Sequence, residues 1–384
     1  MAAIDPIELT QSLVRLNTIN PPGQEDQCVE LLADVLSAAG FHCATHSYAP
    51  RRTSLIARLG DPAAPRPLAF TGHMDVVPLG AKAWQHDPFA ANIVGDQLFG
   101  RGSSDMKSGI AAFVAAAVEG ADRWREGPGL TLILTAGEET GCEGAFDLAR
   151  TAPELLGKAG ALIVGEPTSN EPLLGHKGAY WLKAQASGVT AHGSMPHLGD
   201  NAIYTMARAA LALENFEFDT PAHALMGAPT LNVGTARGGI NINSVPDAAE
   251  FTIDIRTVAN QDHAHIYRCL CNKLGPRIQL SSLLDVGSVY TEPNNTWIQD
   301  VFAVCGQHLG AVPPEKTVSY FTDAAALKTP LGAPPIVILG PGEAGMAHQT
   351  DEYCLVSRVH QGVAIYRDLI TRYYDHANTF SSAS

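Results

Sequence analysis

Pro67-Leu-Ala-Phe-Thr-Gly72, followed directly by His73-Met74-Asp75, is the stretch that decides the fold of this chain. The run is apolar and too short for a typical helix, so it predicts a buried strand that ends at polar residues able to do chemistry. A helical pattern at residues 106–118 lies among similar runs, which predicts an α/β domain with a mostly parallel sheet flanked by helices. The other apolar runs of this kind are 54–59, 130–135 and 161–165.

Residues that carry chemistry stand where the predicted strands end. His73, Glu138 and Glu166 each follow an apolar run by a few residues. Open α/β sheets bind ligands beyond the carboxyl ends of their strands. Position alone, independent of residue type, therefore predicts one shared site at this edge of the sheet.

A second domain is expected within the 384 residues, which suffice for two cores. From about Gly178 the pattern changes to alternating strands interleaved with helical stretches, which predicts a small α+β module with an antiparallel sheet. The turn Pro293-Asn294-Asn295 marks its end. We predict a catalytic domain of residues 1–177 and 291–384, with the module of residues 178–290 inserted into it.

Composition argues against several classes of function. Hydrophobic residues make up 46% and charged residues 17%, with no apolar run long enough to cross a bilayer, which is typical of a soluble globular protein. The formal net charge of -14 argues against nucleic acid or an anionic membrane as a partner. The N-terminus does not resemble a secretory signal and the seven cysteines do not resemble a disulfide framework, so we expect a cytoplasmic protein with reduced thiols. Cys269-Leu-Cys271 lacks the partners for a zinc site.

The polar residues at the predicted sheet edge have the composition of a two-metal site. A divalent metal can lower the pKa of bound water to about 7 and so supply a nucleophile at neutral pH. Two ions about 3.5–4 Å apart need a bridging carboxylate, with histidine or carboxylate ligands on each. Without metals, the carboxylates of Asp105, Glu139 and Glu166 would repel one another in a partly desolvated pocket.

Each residue also has a plainer interpretation. His73 could be a hydrogen-bonded histidine at a loop mouth; as a ligand, it could have its tautomer fixed by Asp75, two positions on and on the same strand face. Asp105 lies in a glycine-rich turn before a helix and could simply be an N-cap. Glu138 and Glu139 could be solvated loop carboxylates, although adjacent like charges repel unless something neutralises them.

Five ordered motifs resemble the M20 metallopeptidase and amidohydrolase family, which includes acetylornithine deacetylase, succinyl-diaminopimelate desuccinylase and aminoacylase. The resemblance covers almost the whole chain and implies a zinc-exopeptidase-like catalytic domain with an inserted ferredoxin-like module. The motifs are Gly72-His-Met-Asp-Val-Val-Pro78, Gly100-Arg-Gly-Ser-Ser-Asp-Met-Lys107, Gly137-Glu-Glu-Thr140, Gly165-Glu-Pro-Thr168 and Ala347-His-Gln-Thr-Asp-Glu352.

The resemblance implies a role for each motif residue around two Zn²⁺ ions, for which Co²⁺ or Mn²⁺ could substitute. Asp75 would orient a ligating histidine, and Glu138 would be the general base and acid. The implied ligands are His73 and Glu166 on one ion, Glu139 and His348 on the other, and Asp105 between them.

The same resemblance makes the inserted module a lid that forms a homodimer. His192, in Thr190-Ala-His-Gly-Ser-Met-Pro196, would polarise the scissile carbonyl, in the partner's active site in many family members. Asn243 and Arg256 match family substrate contacts. Arg256 could instead pair with Asp254, two residues away on the same strand face. At the position of Lys177, desuccinylases carry an arginine that contacts succinate.

The implied reaction is hydrolysis of the amide bond of an N-acyl amino acid by metal-activated water, with Glu138 moving the proton. The motifs around residues 165–178 and 340–349 are closer to acetylornithine deacetylase, which favours an N-acetyl group. A dipeptidase, a carboxypeptidase or a desuccinylase would use the same two-zinc site. A non-catalytic binding protein is disfavoured, because Glu138 and every implied ligand are present.

Overall fold

The computed structural model describes residues 4–61 and 66–381; the first three residues of the N-terminus analysed above lie outside them. The helices are α1 (Pro6–Arg15), α2 (Asp26–Ala38), α3 (Ser108–Glu119), α4 (Ala121–Trp124), α5 (Glu143–Thr151), α6 (Ala202–Leu213), α7 (His263–Leu274), α8 (Thr296–Leu309), α9 (Ala324–Leu327) and α10 (Val356–Ser381). The strands are β1 (His42–Ala49), β2 (Arg52–Leu59), β3 (Leu68–His73), β4 (Ile93–Val94), β5 (Gln97–Phe99), β6 (Leu130–Thr135), β7 (Ala161–Val164), β8 (Gly175–His176), β9 (Gly178–Ser187), β10 (Thr230–Gly238), β11 (Ala248–Thr257), β12 (Ile278–Val286), β13 (Val289–Tyr290), β14 (Ile336–Ile338) and β15 (Tyr353–Leu355).

The chain folds into two compact units. The first contains residues 1–175, 290–316 and 322–384, and the second contains residues 176–289 and 317–321. The predicted borders at 177/178 and 290/291 lie within two residues of the main borders of the second unit, and the segment 317–321 was not anticipated. Which unit is catalytic and which is a lid stays a prediction.

A six-stranded mixed sheet organises the first unit, in the order β1-β2-β6-β3-β7-β14. The pairs β3/β6, β3/β7 and β7/β14 are parallel, whereas β1/β2 and β2/β6 are antiparallel. Every residue of β3, β6 and β7 is buried, as expected for strands covered on both faces. The carboxyl ends of the parallel strands meet at one edge, which is where the polar motifs begin.

Helix α3 is almost wholly buried and packs against α1 and α10. Its Phe113 lies 5.5 Å from Phe70 of β3, measured between ring centroids. A Cβ on Gly109 would come within 2.0 Å of the Gly165 carbonyl oxygen, so only glycine allows the start of α3 to approach the end of β7 this closely. The predicted helical pattern at 106–118 is confirmed with a start two residues later.

The second unit has an antiparallel sheet in the order β10-β11-β9-β12, with α6 after β9 and α7 after β11. This is a βαββαβ arrangement, the ferredoxin-like order. Alternate residues of β11 are buried against the helices, including Phe251 and Ile253. The predicted antiparallel α+β module is thus confirmed. Across both units, none of the helices in residues 4–61 and 66–381 is long and apolar enough to span a membrane.

Candidate metal centre

Asp105 lies between two histidines, His73 and His348, that are far apart in the sequence. Its Oδ1 is 3.1 Å from Nε2 of His73, and its Oδ2 is 3.5 Å from Nε2 of His348. Helix α3 begins only at Ser108, with Lys107 as the residue before it, so Asp105 is not an N-cap. A carboxylate whose two oxygens face two different imidazoles is suitably placed to bridge two cations.

One further carboxylate accompanies each histidine. Oε1 of Glu166 is 3.8 Å from Nε2 of His73, and Oε2 of Glu139 is 3.1 Å from Nε2 of His348. The other oxygen of Glu139 is buried without a hydrogen-bond partner, an arrangement that costs free energy unless a cation or water completes it. The donor set of nitrogen and carboxylate oxygen therefore fits two divalent metal ions such as zinc.

The pKa values of these groups show how strongly the carboxylates repel one another in the metal-free chain. Burial and the charges of Asp105 and Glu139 raise the pKa of Glu166, and burial and Asp105 raise that of Glu139. Burial alone would lower the pKa of His73, but its hydrogen bond with Asp105 and nearby carboxylates raise it well above the ordinary value. The cluster therefore binds protons readily, and metal ions would take their place.

Asp75 acts through atoms different from those predicted. Nδ1 of His73 is 2.9 Å from the Asp75 backbone carbonyl oxygen, whereas the Asp75 carboxylate oxygen is 3.7 Å away. The carboxylate instead accepts the backbone N–H groups of Gly137, Glu138 and Glu139 at 2.9–3.2 Å. The prediction that this carboxylate fixes the imidazole tautomer is wrong. The main chain orients His73, while the carboxylate holds the loop that bears Glu138.

Glu138 lies on that loop with its side chain almost fully buried. Burial raises its pKa well above the ordinary value, with Glu166 and Glu139 adding to the rise and His73 opposing it. The thiol of Cys142 is 3.9 Å from its Oε1. A buried carboxyl group with a raised pKa holds a proton more readily than a solvated one, which suits a general base and acid.

Three supporting residues were not predicted as site residues. Glu352 has a fully buried carboxylate that accepts the N–H groups of Gly102, Ser104 and Asp105 at 2.9–3.0 Å and the guanidinium of Arg101 at 2.6 Å.

The other two are Asn20, whose amide donates to Asp75 at 2.9 Å, and Asp323, which is buried and accepts from the Thr135 hydroxyl. Burial raises the pKa of Asp323 to about 6. The signal for Glu352 was present within the fifth motif, but only the fold reveals the contacts it makes.

Residues 69–372 match the model of peptidase family M20/M25/M40. The chain belongs to this family. It is accordingly a metal-dependent hydrolase of amide bonds, as the five motifs implied.

Among its M20 relatives, the acetylornithine deacetylase of Vibrio cholerae is 31% identical over 91% of this chain and 92% of that protein. A succinyl-diaminopimelate desuccinylase of Cereibacter sphaeroides is 32% identical over 97% of this chain and 99% of that protein. The fold matches an M20 metallo-carboxypeptidase from Sulfolobus solfataricus with a TM-score of 0.76 at 18% identity, covering 96% of this chain and 98% of that one.

The remaining site residues predicted from the resemblance lie in the second unit. His192 is exposed, and its neighbour Gly193 donates its N–H to the Asn243 carbonyl oxygen at 2.7 Å, so these two loops lie together. Arg256 pairs with Asp254 at 3.0 Å, as the alternative interpretation proposed. Lys177 donates to the backbone carbonyl of Ala228 at 2.7 Å.

Proposed function

We propose that this chain removes a short acyl group, with acetyl as the leading candidate, from the amino nitrogen of an amino acid, using two Zn²⁺ ions. The observation that carries the proposal is the orientation of the Asp105 carboxylate, which has one oxygen toward His73 and the other toward His348. When bound, the two cations would supply Lewis-acid polarisation and lower the pKa of a coordinated water. His73 and Glu166 would hold one ion and Glu139 and His348 the other.

The proton steps belong to Glu138. Its carboxylate would accept a proton from the attacking water and return it to the amide nitrogen, so that the C–N bond breaks with a neutral amine as leaving group. Asp75 holds the loop that bears this side chain, because its carboxylate accepts the Glu138 backbone N–H at 3.1 Å together with those of the residues on either side.

Replacement of Glu138 tests this role. Glu138→Gln keeps the shape and removes the basic group, so kcat should fall by about 10²–10⁴-fold with both metal ions retained. Glu143→Gln, which changes a carboxylate at the start of α5 that the mechanism does not use, should leave kcat unchanged. Turnover of Glu138→Gln within a few-fold of the wild type would remove Glu138 from the mechanism.

A desuccinylase is the second candidate, because the desuccinylase relative matches more of the chain at slightly higher identity than the deacetylase does. The motif pattern around residues 165–178 and 340–349 favours acetyl. Lys177 stands where desuccinylases carry an arginine, and a lysine lacks the two-pronged geometry with which a guanidinium binds a carboxylate.

A matched substrate panel separates the candidates. N-acetyl-ornithine, N-succinyl-ornithine and a dipeptide with the same free amino acid differ only in the acyl portion. A kcat/KM for the acetyl compound at least 10-fold above that for the succinyl compound is expected. The reverse ranking would establish the desuccinylase, and a preference for the dipeptide would establish a peptidase.

We propose further that the second unit is a lid and dimerises, with His192 polarising the substrate carbonyl in the partner's site. Strand β10 is the terminal strand of its sheet and mostly exposed, and such an edge offers unpaired backbone groups. Tyr204 and Leu211 on α6 are also exposed, at 64% and 68%. Light scattering should give a dimer, and His192→Ala should lower kcat while His197→Ala should not. A monomer with full activity in His192→Ala would defeat the proposal.

A further inference from the structure

A second group of metal-ligating side chains lies in the second unit, at one face of α7. His265 and Cys269 are one helical turn apart, which places them side by side. Asp219 approaches from the segment that follows α6. Nε2 of His265 lies 3.2 Å from Oδ2 of Asp219 and 3.5 Å from Sγ of Cys269. One ligand atom from each residue lies within 4.8 Å of the other two.

The surrounding fold holds these three side chains in place. Ile266 and Leu270 are buried in the core of the unit, whereas His265 is exposed and Cys269 is partly exposed. Asp262 caps the helix by accepting the N–H groups of the residues at 264 and 265. Phe216 and Phe218 pack edge to face at 5.1 Å and against the core of the unit, which fixes the chain directly before Asp219.

Hydrogen bonds within this cluster cannot engage all three ligand atoms at once, and solvent reaches it, because the side chains of His265 and Asp219 are 52% and 76% exposed. If Nε2 of His265 carries the proton, it donates to Asp219, and the Cys269 thiol then meets a donor nitrogen. If Nε2 is unprotonated, it accepts from the thiol, and the Asp219 carboxylate then faces a lone pair. A cation can accept a lone pair from all three atoms at once. An adjoining cavity of about 280 Å³, which all three residues line, leaves room for a water molecule as fourth ligand.

We propose that Asp219, His265 and Cys269 bind a divalent cation of the Zn²⁺ class, separately from the centre at Asp105. Thiolate, imidazole and carboxylate with one open position suit tetrahedral zinc, whereas Mg²⁺ and Ca²⁺ take oxygen ligands. Cys269 has no zinc partners in its local sequence with Cys271. The fold supplies them from one helical turn earlier and from a loop 46 residues away from His265.

Co²⁺ titration of the reduced protein tests this site without any measurement of activity. The ligands proposed for the centre at Asp105 are all nitrogen or oxygen atoms. A thiolate-to-cobalt charge-transfer band in the near ultraviolet therefore reports a cysteine ligand, and its loss in Cys269→Ser assigns it to this cluster. We expect this band to saturate at one Co²⁺ bound to the cluster per chain. It should disappear in Cys269→Ser and require at least 10-fold more Co²⁺ in His265→Ala.

Cys271→Ser is the matched control, because this thiol is two residues further along α7 and contacts Tyr267. The variant should keep the band. Absence of the band in reduced wild-type protein at excess Co²⁺, or its persistence in Cys269→Ser, would overturn the proposal. The test is independent of the proposed hydrolysis, since failure of the centre at Asp105 would change total metal content and leave the thiolate signal in place.

Discussion

Replacing Glu352 by glutamine should both destabilise the first unit and weaken its metal centre. The carboxylate accepts four donors, with Oε1 serving Ser104 and Asp105 and Oε2 serving Gly102 and Arg101. A glutamine that keeps its oxygen toward Asp105 turns its NH₂ group toward the other two donors. The NH₂ group then faces the Gly102 N–H and the Arg101 guanidinium, which are also donors, and the buried guanidinium loses its counter-charge.

The magnitude follows from the burial of this pair. The side chains of Arg101 and Glu352 are 2% and 0% exposed, and breaking a buried ion pair by removing one partner costs about 3–5 kcal/mol. For a unit of this size, such a loss lowers Tm by about 5–10 °C. Either orientation of the amide sets two donors of the segment 101–105 against its NH₂ group, so Asp105 should also lose its fixed position.

Thermal unfolding of the metal-free protein and metal content after dialysis measure the two effects. Asp26→Asn is the control, since its ion pair with Arg51 is substantially exposed and worth less than about 1 kcal/mol. Glu352→Asp, which keeps the charge, should recover part of the metal content. A Glu352→Gln protein with the Tm of the control and a full complement of metal would refute the reasoning.

Three further outcomes are expected. Asn20→Ala removes a hydrogen bond to the charged Asp75 that is worth about 1.5–3 kcal/mol, so kcat should fall about 10- to 100-fold with metals retained. Asn17→Ala, which changes an exposed side chain, should leave kcat unchanged. Equal kcat values for the two variants would contradict this expectation. Burial and the charge of Asp75 raise the pKa of Glu25 from 4.5 to about 7, so between these values the folded chain binds the extra proton and stability falls as pH rises. As the pH rises through that range, the Tm of the metal-free wild type should therefore fall relative to that of Glu25→Gln. A Tm difference that does not change with pH would exclude the effect. Chelation should lower Tm, because ions held at 1,000 times Kd stabilise the folded state by about 4 kcal/mol; an unchanged Tm would contradict metal binding to the native state.

Sequence patterns predicted the elements whose burial is one-sided or complete. The apolar runs at 130–135 and 161–165 became β6 and β7 with borders within one residue. Strand β1 was missed because most of its residues are polar and partly exposed at a sheet edge. Helix α8 was also not predicted, although Asn295 caps it and its apolar spacing is helical; the turn before it served only to mark the end of the inserted module.

The candidate site was predictable where a motif carries its own chemistry and not where the contact is tertiary. His73, Asp105 and Glu139 could be named from local sequence, and the structure brings them together. The function of the Asp75 carboxylate could not, because its partners lie about 62–64 residues further along the chain. The same holds for Glu352 and Gly102, which are 250 residues apart.

The order in which the first unit is completed has a consequence for synthesis. Strand β14 closes the parallel side of the sheet by pairing with β7, yet the ribosome makes it after the whole of residues 176–289. His348 and Glu352 emerge later still. A nascent or prematurely terminated chain therefore exposes the open edge of β7 and lacks one histidine and the anchor of Asp105. The ability to bind both metal ions would therefore require synthesis through Glu352.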